Sequence, residues 1–359
     1  MNSSRRDFLK AGATAALAAV LPSPRSAQGA ATAEAELLSK PLPAPKPATG
    51  DLRLCTFIPR PGEPARVGAL TANGRIIDLG AAAKKIGVKL PFDPAQMLSL
   101  IAAGGPALDA VRKVVAKATD QGWKPEEIRL LAPIPRLERN IYAVGWNYVE
   151  HFKEGAGLRP PEQKEMPEHP TFFSKAAHVV NGPYDPIPFD PAVSTMIDWE
   201  GELAVVIGRR GRNIPEAKSL EHVFGYTVIN DTTARDLQQK KHGGQWFKGK
   251  SLDGHGPMGP WIITAGEIDQ GKLHILTRIN GEVMQDASTE QMYFKVPRII
   301  AELSMGLTLE PGDIIATGTP PGVGYARKPP IFLKPGDVME TEIVGIGTIR
   351  NTIAAPAGT

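Results

Sequence analysis

Two short stretches of the chain place acidic side chains beside buried apolar segments. The first, DWEGELAVVIG, carries Asp198, Glu200 and Glu202 and ends in an apolar, β-branched run that is typical of a buried strand. The second, GYTVINDTTARDLQ, is strand-like as far as Asn230 and places Asp231 at its end. Residues two apart on a strand face the same side, so the acids of the first stretch would repel one another without a cation among them. We therefore predict that Glu200, Glu202 and Asp231 bind a divalent metal.

The predicted ligand set consists only of oxygen atoms, with no histidine or cysteine at ligand spacing nearby. Such a set favours a hard cation, Mg²⁺ or Mn²⁺, with Ca²⁺ as the alternative. The competing interpretation is a pair of solvated strands with ordinary surface acids. The apolar run that follows Glu202 favours the metal site, because the strand that carries these acids must continue into the buried core.

The segment NYVEHFKE, residues 147–154, is a second candidate for chemistry. If it forms a short helix, His151 and Glu154 lie three residues apart on one face. A carboxylate beside an imidazole orients the ring and makes it a better base, which suits a general base near neutral pH. On this segment alone, an ordinary surface turn of helix is the stronger alternative.

Two glycine-rich segments could bind anions. Residues 244–251, GQWFKGKS, have the spacing of a phosphate-binding loop, but Trp246 and Phe247 stand where such a loop needs small residues. The glycines and prolines that follow exclude the helix that such a loop requires, so nucleotide binding is not predicted. Residues 317–324, TGTPPGVG, form a turn whose backbone N–H groups are expected to be free to bind an anion.

Taken together, these stretches resemble the fumarylacetoacetate hydrolase family, in particular its acylpyruvase and 2-hydroxymuconate isomerase-like branch. The resemblance covers about residues 130–352 and keeps the family's order of elements, although Leu252 stands where the family usually has Phe. It implies an α+β, mainly β fold, with a mixed β-sandwich roll as the core and a small N-terminal α+β domain. It also implies roles for individual residues: metal ligands Glu200, Glu202 and Asp231; catalytic residues His151, Glu154 and Lys250; substrate-binding residues Gln238, Thr319, Lys175 and Tyr148.

The resemblance implies a metal-dependent enzyme that acts on a small 2-oxo acid, with a homodimer as the expected assembly. Our first expectation is hydrolysis of a C–C bond in an acylpyruvate or fumarylacetoacetate type of substrate, with His151 and Glu154 activating a water molecule. Isomerisation or hydration of 2-hydroxymuconate-type acids, and decarboxylation, use the same enolate chemistry and stay open. An alternative of another class is a non-catalytic periplasmic module that binds a metal and a dicarboxylate, which would not need a basic His151.

The beginning of the 359-residue chain has the pattern of an export signal. Arg5 and Arg6 precede an apolar run that is too short to span a bilayer, which predicts a twin-arginine signal peptide over residues 1–29 and a periplasmic protein. Cleavage after residue 29 or residue 33 fits the sequence equally well. Residues 1–29 hold four basic residues and one acidic residue, so the rest of the chain has 37 of each sign. This balance gives no support for nucleic acid as a partner, and no membrane span is predicted in the mature chain.

Composition divides the remaining chain into three parts. Residues 30–50 are rich in alanine and proline and are predicted to form a linker. Residues 51–133 are predicted to form a small α+β domain, with a hairpin at Asn73-Gly74 and helices over residues 94–103 and 106–118. Residues 134–359 then form the catalytic domain, where short strands and a second hairpin at Asn280-Gly281 predict a mainly β structure.

Overall fold

A computed structural model describes residues 52–118, 122–158, 164–266 and 268–354. The predicted signal peptide and linker, residues 1–50, lie outside these ranges. Within them, strands greatly outnumber α-helices, which confirms the α+β, mainly β class. None of the helices in the described ranges is both long and apolar enough to cross a membrane.

The N-terminal segment contains a small antiparallel group of strands with two helices. Its strands are β1 Arg53–Ile58, β2 Arg66–Leu70, β3 Ile76–Asp78 and β4 Arg129–Leu131. Its helices are α1 Leu79–Ile86 and α2 Met97–Lys117. The hairpin between β2 and β3 turns at Gly74, as predicted. The two helices predicted from the sequence are the halves of α2, because Gly104 interrupts it with a left-handed φ of 59°.

The described residues after β4 supply most of the strands and three short α-helices. The strands are β5 Ile141–Gly145, β6 Thr171–Lys175, β7 Val180–Asn181, β8 Ile197–Asp198, β9 Gly201–Ile207, β10 Val223–Asn230, β11 Thr233–Ala234, β12 Gly256–Thr264, β13 His274–Ile279, β14 Glu282–Ser288, β15 Ile314–Ala316, β16 Val338–Ile343 and β17 Gly347–Thr352. The helices are α3 Val149–Glu154, α4 Arg235–Lys240 and α5 Val296–Ser304.

One large sheet runs through both parts of the chain, in the order β3-β2-β1-β12-β10-β9-β15-β5-β6. Strand β1 pairs antiparallel with β12, with Arg53 opposite Ile263, so the N-terminal strands continue the core sheet. A second sheet has the order β14-β13-β16-β17, and β8 pairs with β11. The domain boundary near residue 133 stays a prediction, since the sheet itself does not end there.

Strand β9 lies in the interior of the large sheet and is buried along its whole length. Its side chains alternate between two apolar clusters: Ala204 and Val206 pack on one side of the sheet, and Leu203 and Val205 on the other. Fully burying a side chain such as Val or Leu stabilises the fold by about 1.5–3 kcal/mol. The strand that carries Glu202 is therefore fixed on both faces.

Candidate active site

Strand ends that meet at one edge of the large sheet position the candidate site. Strand β9 runs antiparallel to β10 with Gly201 opposite Asn230, so Glu200 and Glu202 lie beside Asp231. Strand β15 pairs antiparallel with β9 and parallel with β5. The segments that follow β15 and β5 therefore begin at the same edge, and they carry the glycine-rich turn and helix α3.

The three predicted metal ligands are brought together. One carboxylate oxygen from each of Glu200, Glu202 and Asp231 lies within 4.8 Å of the others, and all three residues are buried. Asp198, which the sequence placed on the same strand face, is not part of this cluster. The extended chain is interrupted between β8 and β9, and Asp198 instead accepts a hydrogen bond of 2.8 Å from Arg235.

Three buried cations neutralise two of the acids. The Lys250 ammonium lies 2.6 Å from Glu200 and 2.7 Å from Asp231, and so cross-links them. Lys175 contacts the other oxygen of Asp231 at 2.6 Å, and Arg235 contacts Glu200 at 2.7 Å. Burial raises the pKa of Glu200, but the attraction of Lys250 and Arg235 outweighs burial and lowers this pKa to about 2. Glu200 is therefore held as a carboxylate.

Glu202 differs from its two neighbours in having no cationic side chain within ion-pair distance among the described residues. Its carboxylate accepts a 2.8 Å hydrogen bond from the backbone N–H of Gly318. Burial, followed by repulsion from Asp231 and Glu200, raises its pKa well above the usual range. A divalent cation among the three acids would supply the missing charge. The residues present therefore fit a bound metal.

Asp198 and Arg235 form a second set of contacts that holds Glu200 in place. The Asp198 carboxylate accepts hydrogen bonds from the backbone N–H groups of Gly324, at 2.7 Å, and Tyr325, at 3.0 Å, in addition to the Arg235 guanidinium. Arg235 stacks on the Tyr325 ring at 4.2 Å from its centroid. The guanidinium is therefore fixed in the position from which it contacts Glu200.

Helix α3 carries a hydrogen-bonded pair of the kind that activates a base. His151 Nδ1 lies 2.7 Å from one oxygen of Glu154, and the other oxygen accepts a 2.8 Å hydrogen bond from the N–H of Gly322. Because a carboxylate only accepts hydrogen bonds, Nδ1 carries a proton, and in the neutral form of the ring Nε2 is then the basic nitrogen. Nε2 has no hydrogen-bond partner in the described part of the chain. The ring lines the cavity that also contains Glu200 and Glu202.

The glycine-rich turn, residues 317–324, differs from its predicted role as a free anion-binding turn. Its N–H groups bind carboxylates of the protein itself: Gly318 donates to Glu202, Gly322 to Glu154 and Gly324 to Asp198. The turn therefore connects Glu202 to the His151–Glu154 pair and to Asp198.

A cavity of about 340 Å³ opens over these groups. Besides His151 and the acids Glu200 and Glu202, its lining includes polar residues that the sequence predicted, and aromatic rings. The predicted polar residues are Lys250, Gln238 and Thr319, Arg235 lines the cavity as well, and the aromatic residues are Trp146, Phe173, Trp246 and Tyr325. The cavity thus brings together His151, two of the three clustered acids and the candidate substrate contacts.

Two of the predicted substrate-binding residues do not line this cavity. The ammonium of Lys175 is fully buried and binds Asp231 and the backbone oxygens of Thr232, at 3.3 Å, and Lys250, at 2.5 Å. Burial lowers the pKa of Lys175 in spite of Asp231. The Tyr148 side chain is buried, and its hydroxyl has no hydrogen-bond partner within the described ranges. For both Lys175 and Tyr148, direct contact with a substrate stays a prediction, and the structure does not support it.

Gln285, on β14 of the second sheet, was not predicted from the sequence. Its amide donates to Thr319 Oγ1 at 2.7 Å, and its carbonyl oxygen accepts from the N–H of Gly201 at 3.0 Å. The Thr319 hydroxyl in turn donates to the Gly201 carbonyl at 3.1 Å. An isolated glutamine on a strand gives no sequence signal, because its role depends on the packing of the two sheets.

The chain is similar in sequence to known proteins. Residues 2–22 match the twin-arginine translocation pathway signal sequence. Over 304 residues the chain is 41% identical to the oxaloacetate tautomerase fahd2, mitochondrial, of Xenopus laevis, which covers 84% of this chain and 90% of that protein. Residues 140–354 match the family described as fumarylacetoacetate (FAA) hydrolase C-terminal.

Two solved structures have the same fold. The fumarylacetoacetate hydrolase of Exiguobacterium antarcticum superposes with a TM-score of 0.70 at 38% identity, over 85% of this chain and 99% of that one. The maleylpyruvate hydrolase of Sphingobium sp. SYK-6, in complex with manganese (II) ion and pyruvate, superposes with a TM-score of 0.65 at 28% identity, over 85% and 100%. By sequence, fold and site, this chain is an enzyme of the fumarylacetoacetate hydrolase family.

Proposed function

We propose that the enzyme interconverts the keto and enol forms of oxaloacetate, or of a closely similar small 2-oxo dicarboxylic acid. The observation that carries the proposal is the presence, in one cavity, of His151 with an unengaged Nε2 and the acids Glu200 and Glu202. A base beside a cation site is the arrangement that proton abstraction next to a carbonyl requires. The name of the Xenopus relative, oxaloacetate tautomerase, supports this substrate.

The metal in this proposal is Mg²⁺ or Mn²⁺, with Glu200, Glu202 and Asp231 as the residues that would hold it. When bound, the cation supplies a Lewis acid that withdraws electrons from the 2-oxo carbonyl and acidifies the adjacent C–H bonds. Oxygen ligands suit both ions, and the manganese ion of the maleylpyruvate hydrolase structure supports Mn²⁺.

The proton transfer is assigned to the pair on α3. His151 Nε2 accepts a proton from C3 of the keto acid, and the enolate oxygen on C2 takes up a proton from solvent water as the enol forms. In the reverse reaction the enol loses that proton to water, and the imidazolium of His151 returns a proton to C3. Glu154 keeps the proton on Nδ1 and stabilises the imidazolium that forms. A positioned general base of this kind contributes about 10²–10⁴-fold to the rate.

The other predicted residues have positioning or binding roles in this proposal. Lys250 cross-links Glu200 and Asp231, which fixes the spacing of the ligands. Lys175 lies outside the cavity lining, so in this proposal it positions Asp231 and does not contact the substrate. Gln238 and Thr319 line the cavity and would bind the polar groups of the acid.

Hydrolysis of a C–C bond in an acylpyruvate, the first expectation from the sequence, is the second candidate. The pyruvate in the maleylpyruvate hydrolase structure favours it. In that reaction His151 would take its proton from a water molecule instead of from carbon, with the same Glu154 contact. Tautomerisation stands first because it is the activity named for a relative at 41% identity.

The purified protein can be tested with oxaloacetate by following the enol absorption band. We expect Mg²⁺ or Mn²⁺ to accelerate the approach to the keto–enol equilibrium, and a chelator to abolish the acceleration until metal is restored. Chromatography of the products distinguishes the two candidates. Cleavage of an acylpyruvate into two acids, with no acceleration on oxaloacetate, would favour hydrolysis and contradict tautomerisation.

We also propose that the protein is exported to the periplasm and forms a homodimer. The match of residues 2–22 to a twin-arginine signal supports export. Replacing Arg5 and Arg6 with Lys should leave the precursor in the cytoplasm, because this pathway depends on the arginine pair. Fractionation and immunoblotting would check this, and an exported double variant would refute the route. Light scattering on the purified protein would test the dimer, and a monomeric mass would contradict it.

A further inference from the structure

An aromatic wall, formed by Trp146, Trp246 and Phe173, lies beside the charged part of the cavity. The Trp246 ring packs edge-to-face at 4.9 Å from Trp146 and 5.1 Å from Phe173, measured between centroids. The Lys250 ammonium lies 5.0 Å from the centroid of Phe173. Along the lining, therefore, Phe173 contacts Lys250 as well as Trp246.

The indole of Trp246 covers the end of strand β5. A Cβ atom built on Gly145 would lie 2.5 Å from Trp246 Cζ3 and 2.7 Å from Cη2, so the ring rests directly on the backbone of this glycine. Trp146 and Phe173 come from the sheet region, immediately after β5 and within β6. Trp246, by contrast, comes from the segment after α4, so it closes the wall from outside the sheet.

The backbone around Trp246 suits this placement. The preceding turn has left-handed φ angles at His242, Gly243 and Gly244 of 54°, 65° and 76°, and Gly244 lines the cavity. After Trp246, its carbonyl accepts a 3.1 Å hydrogen bond from the N–H of Lys250. The wall residue and the lysine that cross-links the metal ligands thus share one turn of chain.

We propose that Trp246 is a specificity-determining residue that limits the length of the substrate. The 2-oxo acid end of the substrate is held at the charged groups, as the proposed function requires, and the far end must stop before the indole. This selects four-carbon acids such as oxaloacetate over longer homologues, because a polar chain that reached the wall would lose its hydration against aromatic surface.

The test is equilibrium binding of 2-oxo dicarboxylic acids with four to seven carbons, measured by calorimetry with Mg²⁺ present. For the wild type we expect affinity to fall about tenfold or more between the shortest and the longest acid. In Trp246→Ala this decrease in affinity from the shortest to the longest acid should be only about threefold or less. In Trp246→Phe, which keeps an aromatic ring, the decrease should lie between those of the wild type and Trp246→Ala. Phe247→Ala is the matched control, because Phe247 is exposed and does not line the cavity.

A wild type without length preference, or a Trp246→Phe variant and a Trp246→Ala variant that both keep the wild-type preference, would overturn the inference. Oxaloacetate turnover is measured in parallel on every variant. A Trp246-dependent length preference without tautomerisation would leave the inference standing and refute the proposed function. Tautomerisation together with the same length preference in the wild type and the Trp246 variants would refute the inference and leave the proposed function standing.

Discussion

At the scale of single residues, the three clustered acids, Glu200, Glu202 and Asp231, are not electrostatically equivalent. Glu200 and Asp231 are each paired with two buried cations, whereas Glu202 accepts a hydrogen bond from Gly318 and has no cationic partner within ion-pair distance in the described chain. A buried carboxylate without a counter-charge destabilises a fold. The protein's own ion pairs therefore do not require a negative charge on Glu202, and we expect this charge to be needed only when a metal binds.

This difference predicts opposite effects of two isosteric substitutions on the metal-free protein. Glu202→Gln should leave the free energy of unfolding unchanged or higher, because an amide can still accept the hydrogen bond from Gly318 and cannot become a buried negative charge beside Glu200 and Asp231. Glu200→Gln should lower it by about 3–5 kcal/mol, because it leaves the guanidinium of Arg235 and the ammonium of Lys250 without one partner. Both variants should lose the increase in melting temperature that Mg²⁺ gives the wild type.

Denaturant unfolding with and without Mg²⁺ provides the measurement, and each variant is the other's matched control. A Glu202→Gln protein that kept the full Mg²⁺ stabilisation would remove Glu202 from the ligand set. Equal destabilisation of both metal-free variants would contradict the conclusion that Glu200, but not Glu202, is paired with buried cations.

The sequence predicted the residues that lie in contiguous motifs. His151 with Glu154, and Glu200 with Glu202, have spacings that are meaningful along one helix or one extended segment. Gln285 could not be predicted in this way, and neither could the packing of Trp246 on Gly145. These contacts join residues that are far apart in the chain, so they exist only after the sheets have paired.

At the scale of elements, the glycine-rich turn connects the groups that the site needs. Its backbone donates to Glu202, to Glu154, which is the partner of His151, and to Asp198, which is the partner of Arg235, and so it holds these three carboxylates in fixed positions. Gly322 has a left-handed φ of 106°, and a Cβ there would lie 2.0 Å from the Met284 carbonyl oxygen. Glycine is therefore required at this position, both for its φ and for space.

Gly322→Ala should consequently disturb the His151–Glu154 pair. Its backbone must move away from Met284, which weakens the hydrogen bond to Glu154, so we expect kcat to fall about tenfold or more while Mg²⁺ affinity changes little. Gly74→Ala is the matched control, because Gly74 has a left-handed φ of 77° but nothing within 4 Å of its added Cβ. Both variants should be less stable by about 1–2 kcal/mol or more from the strained φ.

Steady-state kinetics on the two variants would decide the matter. If Gly74→Ala lowered kcat as much as Gly322→Ala, the effect would follow from stability, and the turn would have no role in holding the pair. If Gly322→Ala kept the wild-type kcat, its contact with Glu154 would be dispensable.

Elements with strong local signals were predicted correctly, and the exceptions have a physical cause. The hairpins at Asn73-Gly74 and Asn280-Gly281 follow from residues that accept left-handed φ angles. The interruption between Asp198 and Gly201 was missed, because the alternating pattern continues through it. There β8 pairs with β11 while β9 pairs with β10, and this choice of partner is not visible in the local sequence.

At the scale of the whole molecule, the large sheet determines where the site lies. The pairing of β1 with β12 joins segments about two hundred residues apart, and it makes the N-terminal strands part of the sheet that carries the acids. The mainly β class could be predicted from short strands and turn residues. The continuity of the sheet could not, because long-range pairing depends on burial across the whole chain.

The central claim is that His151, beside the metal-binding acids, transfers the C3 proton of oxaloacetate. Deuterium incorporation at C3 in D₂O, followed by NMR with Mg²⁺ present, measures this transfer directly. We predict that the wild type accelerates incorporation without cleaving the substrate, and that His151→Asn loses about 10²–10⁴-fold of the acceleration while its Mg²⁺ affinity is unchanged. Incorporation at the wild-type rate in His151→Asn, or cleavage without incorporation in the wild type, would contradict the claim.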